Sequence, residues 1–146
     1  MNIGILAPNI NMSPEVGGRM IFAPRKLSVE LVNGLVEKGH KVYFFTASDI
    51  TSNAIMISGD TFLLENQVKL LNNKFFSQEK KWKALFINRK NYEFDLTSRA
   101  YKYAKEGKLD IIHNFHDYVG NFYEELVDIP TVYTIHDPLP EKNEII

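Results

Sequence analysis

The order of local signals over the first 47 residues is what most restricts the fold of this chain. Asn2-Ile3-Gly4-Ile5-Leu6-Ala7 is short, mostly apolar and closed by Pro8, the pattern of a strand buried on both faces of a parallel sheet. Asn9 to Gly18 is dense in Asn, Ser, Pro and Gly, which is loop chemistry. Pro24 suits the first turn of a helix. From there Leu27, Leu31 and Leu35, flanked by Val32 and Val36, draw a helical apolar stripe. Gly39 ends it, where a left-handed cap is cheapest. Lys41-Val42-Tyr43-Phe44-Phe45-Thr46-Ala47 is β-branched and aromatic and reads as a strand. Strand, loop, helix, strand is a βαβ unit, whose crossover is almost always right-handed.

The alternation continues. Ser48 to Ser52 reads as a loop and Ala54 to Ile57 as a short strand, while Thr61 to Phe86 mixes helical and extended signals. Tyr92 to Glu106 reads as a helix stopped by Gly107. Asp110 to Phe115 is a strand, Tyr118 to Val127 a short helix, and Thr131 to His136 a last strand halted by Asp137-Pro138. The expected fold is α/β: a doubly wound, Rossmann-like, mostly parallel sheet forming one domain over residues 1–146 and stopping early, after the fifth or sixth strand.

Composition narrows the function classes. With 17 basic and 18 acidic residues the net charge is −1, so there is no global electrostatic case for a nucleic-acid partner. The absence of cysteine removes disulfides, thiolate metal sites and a cysteine nucleophile. No apolar run approaches the roughly 20 residues of a membrane span, and no signal peptide is visible at the start, so a soluble, cytoplasmic domain is expected. Charge is nonetheless uneven. Glu65 to Lys90 carries seven basic residues against two acidic, and Asp110 to Ile146 eight acidic against one basic.

In open α/β sheets ligands sit beyond the carboxyl ends of the strands. The residues there are Asn9 to Gly18, then Thr46, Ser48 and Asp49, then Asn114, His116 and Asp117, then His136 and Asp137. Gly17-Gly18, ahead of the first helix, lets backbone N–H groups approach a phosphate. It is neither a dinucleotide fingerprint nor a Walker loop. His113 and His116 are three apart, so on one strand they face opposite ways; a zinc site is not expected, and His113 reads as a packing residue. His116 and His136, both at strand ends, are placed to meet across the crevice, where an imidazole can donate to a sugar hydroxyl or a phosphate. Asp117 and Asp137 beside them can accept from hydroxyls or orient the rings. His40 reads as a cap or surface residue. No serine sits in a nucleophile elbow.

Taken in order, these stretches resemble the N-terminal domain of GT-B glycosyltransferases, group 1 (family 4). The resemblance is carried by residues 2–8, Gly17-Gly18, residues 31–42, Phe45 to Asp49, residues 110–116 and Pro130 to Leu139, with residues 50–90 contributing little. It implies a two-domain enzyme with its site in the cleft between two Rossmann-like halves, the N-terminal half holding the acceptor and the C-terminal half most of the nucleotide sugar. On that resemblance Gly17 and Gly18 look like the glycine loop near the donor diphosphate. His136 looks like the histidine after the fifth strand that faces the transferred sugar, the expected catalytic residue. His116 is similar to a residue lining the acceptor side. Asp137 stands where relatives often carry Gly, and Arg19-Met20-Ile21 where a Glu often follows the glycines. The implied reaction moves a sugar from a nucleoside-diphosphate sugar to an acceptor hydroxyl, with retention, no required metal and no cofactor beyond the donor. The chain is expected to be inactive without a C-terminal donor-binding domain in cis or trans. The alternative is a non-catalytic Rossmann-like module binding a nucleotide or a sugar. A third reading, compatible with either, is a weak membrane-surface contact through Trp82, Phe75, Phe76 and the surrounding lysines.

Overall fold

A computed structural model describes residues 1–7, 23–47, 50–60, 62, 63, 66, 69, 70, 72–115 and 119–135. The elements run β1 (Asn2–Leu6), α1 (Ala23–Glu37), β2 (Lys41–Phe45), β3 (Ile55–Ile57), α2 (Gln78–Lys105), β4 (Ile111–Asn114), α3 (Asn121–Glu124) and β5 (Thr131–Tyr133). The five strands form one sheet in the order β3-β2-β1-β4-β5, and every pairing is parallel. The central strand is β1, with Ile3 opposite Val42 on one side and Ile111 on the other. This is the expected doubly wound α/β sheet, with five parallel strands.

Side-chain alternation sorts the sheet into two cores. Ile3, Ile5, Ala7, Val42 and Phe44 point to one face and pack with Val32 of α1. Leu6, Tyr43, Phe45 and Ile112 point to the other and pack with Tyr92, Leu96, Ala100 and Ala104 of α2. Tyr123 of α3 lies on this second face, its ring 5.5 Å from that of Tyr101. Continuous apolar strands are therefore a consequence of burial on both sides. A deletion such as Phe44→Ala, at 0% exposure, costs about 3–5 kcal/mol.

Helix ends follow the expected chemistry. Gly39 (φ +83°) and Gly107 (φ +69°) take left-handed backbone. His40 N–H then reaches back to the Leu35 carbonyl (3.1 Å) and Lys108 N–H to that of Tyr103 (3.0 Å), closing each helix as a Schellman cap does.

Several boundaries differ from the sequence reading. The line of α1 that is fully covered runs through Pro24, Ser28 and Val32, while Leu27 is 48% exposed. The helix seats on its small Ser28 rather than on the bulkier leucine row. The helix expected from Tyr92 begins instead at Gln78, capped by Ser77, whose hydroxyl accepts from Lys80 N–H at 3.3 Å. The short helix at 118–127 contracts to Asn121–Glu124, and the last strand ends at Tyr133, with Thr134 and Ile135 outside it. Gly17, Gly18, His116, Asp117, His136 and Asp137 lie outside the described residues, as does the loop over 9–18.

Candidate functional site

Strand order reverses between β1 and β4. The helix after β1, α1, packs on one face of the sheet and the helix after β4, α3, on the other, the arrangement that in open α/β sheets marks a ligand crevice at the carboxyl edge. The described floor of that crevice is well tied. Phe115 N–H donates to the Leu6 carbonyl (2.8 Å), Ala7 N–H to that of Phe45 (3.1 Å) and Thr134 N–H to that of Asn114 (3.0 Å). The parallel ladder thus runs one residue past the strands and holds their exits in register.

Three side chains stiffen this rim. Tyr92, fully buried, brings its hydroxyl to the ends of β2 and β3. It accepts from Gly59 N–H at 2.9 Å and donates towards the Thr46 carbonyl at 3.4 Å. Burial in this apolar setting pushes the phenol's pKa up, so it stays a donor. A Cβ on Gly59 would stand 2.7 Å from the Tyr92 ring, so the close approach needs a glycine. On the other side of β1, Asn114 is fully buried at the end of β4. Gly120 is packed onto it, and a Cβ there would collide with Asn114 and stand 2.9 Å from the Tyr133 hydroxyl. Tyr133 in turn donates to Glu124 Oε1 at 2.6 Å; burial, then that carboxylate, drives its pKa far up.

His113 faces the α1 side. Its Nε2 pairs with the Thr134 hydroxyl at 2.7 Å and its ring stacks on Phe115 with centroids 4.5 Å apart. Burial lowers its pKa, favouring neutral imidazole. It is a packing residue, as its place in the strand implies, with one polar tie to the segment after β5. That tie fixes the backbone two residues ahead of His136.

Sequence reasoning missed the charged cluster on α2. Glu93 has 2% of its side chain exposed and is gripped by Arg89 (Nε–Oε1 2.7 Å) and Lys90 (Nζ–Oε2 3.4 Å). It follows Tyr92, so it marks the same level as the rim. The signal was present as acid and bases at helical spacing, but Arg89 and Lys90 fell ahead of Tyr92, where the sequence reading started the helix. Thr46 and Asn114 were both picked from strand ends, and both sit there. Both are fully buried, and the Thr46 hydroxyl has no hydrogen-bond partner among the described residues.

Among the described residues no group of three or more His, Cys, Asp or Glu stands close enough to hold a metal ion. A separate hollow of about 400 Å³ lies between α2 and the segment before it, lined by Leu70, Ala84 and Ile87 together with Lys69 and four asparagines, Asn66, Asn73, Asn88 and Asn91. No described helix is long and apolar enough to cross a membrane.

What this edge can do is limited and definite. Among the described residues it offers strand ends held in register by backbone hydrogen bonds, with α1 packed on one face of the sheet and α2 and α3 on the other. Curated proteins return no match to the chain. The family model described as Glycosyltransferase Family 4, by contrast, matches residues 26–145, from α1 through every later element. That match covers most of the chain and agrees with the all-parallel sheet, so the chain belongs to glycosyltransferase family 4.

Proposed function

We propose that this chain is the acceptor-side half of a retaining glycosyltransferase, which transfers a sugar from a nucleoside-diphosphate sugar to an acceptor hydroxyl. The observation that carries the reading is the family match over residues 26–145, on a sheet whose order reverses between β1 and β4. The reaction must stabilise a departing diphosphate and an oxocarbenium-like sugar. Gly17 and Gly18 precede the amino end of α1, where backbone N–H groups and the helix dipole favour anionic oxygens. His136 follows β5 and faces the transferred sugar, while His116, Asp117 and Asp137 take the acceptor hydroxyls. No metal and no cofactor beyond the donor is required. The strongest donor contacts come from a C-terminal GT-B domain, in cis or in trans, and the reaction takes place in the cytoplasm.

The test is ligand-observed NMR on the chain, with a panel of simple glycosides and of nucleoside diphosphates. An acceptor-side half binds glycosides and retains only weak affinity for nucleotides. Tight nucleotide binding with no glycoside binding would favour the non-catalytic module. Sugar transfer by the isolated chain would overturn the expectation that it needs a second domain.

A further inference from the structure

Helix α2 is far longer than the sheet it covers. Tyr92 binds the ends of β2 and β3, and only residues from there to Lys105 lie over the strands. Gln78 to Asn91 therefore extends on the carboxyl side of the rim for about 21 Å at 1.5 Å per residue. In that arm only Leu85 and Asn88 are buried. Trp82, Phe86, Arg89 and Glu93 are spaced four, three and four residues apart, in line with Leu96, Ala100 and Ala104 further along. The stripe that seats the helix on the sheet thus continues past the sheet and ends in two uncovered aromatic rings. Trp82 is 67% exposed and Phe86 59%, and the turn leading into the helix adds Phe75 at 96%.

The charge around these rings is predominantly basic, even with Arg89 and Lys90 held by Glu93. Lys74, Lys80, Lys81, Lys83, Arg89 and Lys90 stand against Glu79 alone among the charged residues of 74–91. Lys90 lies over the Phe86 ring, its ammonium 5.8 Å from the centroid. Exposed aromatic rings on a helix that also carries clustered lysines suit an interface with apolar depth and negative charge at its surface.

We propose that the amino-terminal half of α2, with the turn at Phe75 and Phe76, docks on an anionic lipid bilayer. Trp82, Phe75 and Phe86 enter the headgroup region, and Lys80, Lys81 and Lys83 pair with lipid phosphates. The observations favour this occupant over others. A second copy would bring two strongly basic arms together across a twofold axis, which charge repulsion opposes. A single-stranded nucleic acid needs a basic groove with rings along its floor, whereas neither Trp82 nor Phe86 lines the hollow beside this arm. The inference concerns this surface alone and holds whether or not the chain transfers sugar.

Trp82 is the single tryptophan of the chain, so its emission reads the arm directly. The intact chain is titrated with vesicles of phosphatidylcholine, alone or mixed with phosphatidylglycerol, and binding is followed by emission and by co-sedimentation. The expected result is a blue shift and pelleting with the anionic vesicles only, both weakened by added salt. Lys80→Gln/Lys81→Gln/Lys83→Gln lowers vesicle affinity on the order of a hundredfold, at about fivefold per charge. Lys102→Gln/Lys105→Gln, at the far end of the same helix, leaves it unchanged. No shift with anionic vesicles, equal binding to neutral vesicles or an equal loss in the far-end variant would overturn the proposal. So would a lipid-free blue shift that grows with protein concentration, which marks a second copy, or displacement of the vesicles by a single-stranded oligonucleotide at equal charge.

Discussion

Replacing Tyr92 with Phe removes one oxygen atom and keeps the ring that fills the core between α2 and the sheet. In the native chain that oxygen accepts from Gly59 N–H at 2.9 Å and faces the Thr46 carbonyl at 3.4 Å. Tyr92 is 0% exposed and Gly59 is buried, so no water replaces the lost acceptor. An orphaned buried amide costs about 1–3 kcal/mol. The long contact to Thr46 adds little, and the absence of a cavity removes the larger costs of a truncation. The expected loss is about 2 kcal/mol, or roughly 8 °C in Tm for a chain of this size. Urea unfolding of both proteins reads the first quantity, and hydrogen exchange at the Gly59 amide reads the local effect, which is accelerated exchange. Tyr123→Phe is the control, since its hydroxyl reaches the Phe94 carbonyl at 3.3 Å from an exposed position, and it changes stability by no more than about 0.5 kcal/mol. A Tyr92→Phe protein within about 0.5 kcal/mol of the parent, with Gly59 exchange unchanged, would refute the role given to this hydroxyl in tying the rim.

Three further outcomes follow from the same geometry. Glu93→Gln leaves Arg89 and Lys90 facing a neutral amide. It destabilises by about 2 kcal/mol in urea titration, less than for a wholly buried pair because Arg89 keeps a third of its side-chain surface exposed. Gly120→Ala forces a methyl group into Asn114 and the Tyr133 hydroxyl, costing about 1–3 kcal/mol by thermal unfolding. His113 has a folded-state pKa below its ordinary 6.5, so the unfolded chain takes up the proton first. Its contribution to stability is therefore intact above pH 6.5, declines as the pH falls below that value and levels off once the folded state also protonates. His113→Gln flattens the stability-against-pH curve in that window.

The fold was legible wherever one physical signal dominated. β1 and β2 are buried on both faces and so read as mostly apolar runs, and Gly39 and Gly107 marked their helix ends because only a glycine takes that backbone cheaply. The first half of α2 was illegible for a reason the structure supplies. It has no sheet beneath it, so the stripe that seats the later turns is free to hold Trp82, Phe86 and Arg89 there, and no apolar period survives. Its start at Ser77 is a local cap, which only the structure distinguishes from the many other serines of the chain. Leu27 misled because periodicity locates a stripe only to within one neighbouring row, and the small Ser28 decides which row seats on the sheet. Of the rim, Thr46 and Asn114 could be placed from strand ends alone. The joint work of Tyr92, Gly59 and Gly120 could not, since it rests on contacts between segments far apart in sequence.

Assigned amide spectra of the chain, recorded during titration with nucleoside-diphosphate sugars and simple glycosides, test the location of the site most directly. The account predicts that shifts concentrate at Gly17, Gly18, His116 and His136, with Ala7 and Phe115 moving beside them at the ends of β1 and β4. Shifts confined to the opposite edge of the sheet, around Lys41 and Asp110, or no shift at any of these amides, would contradict it.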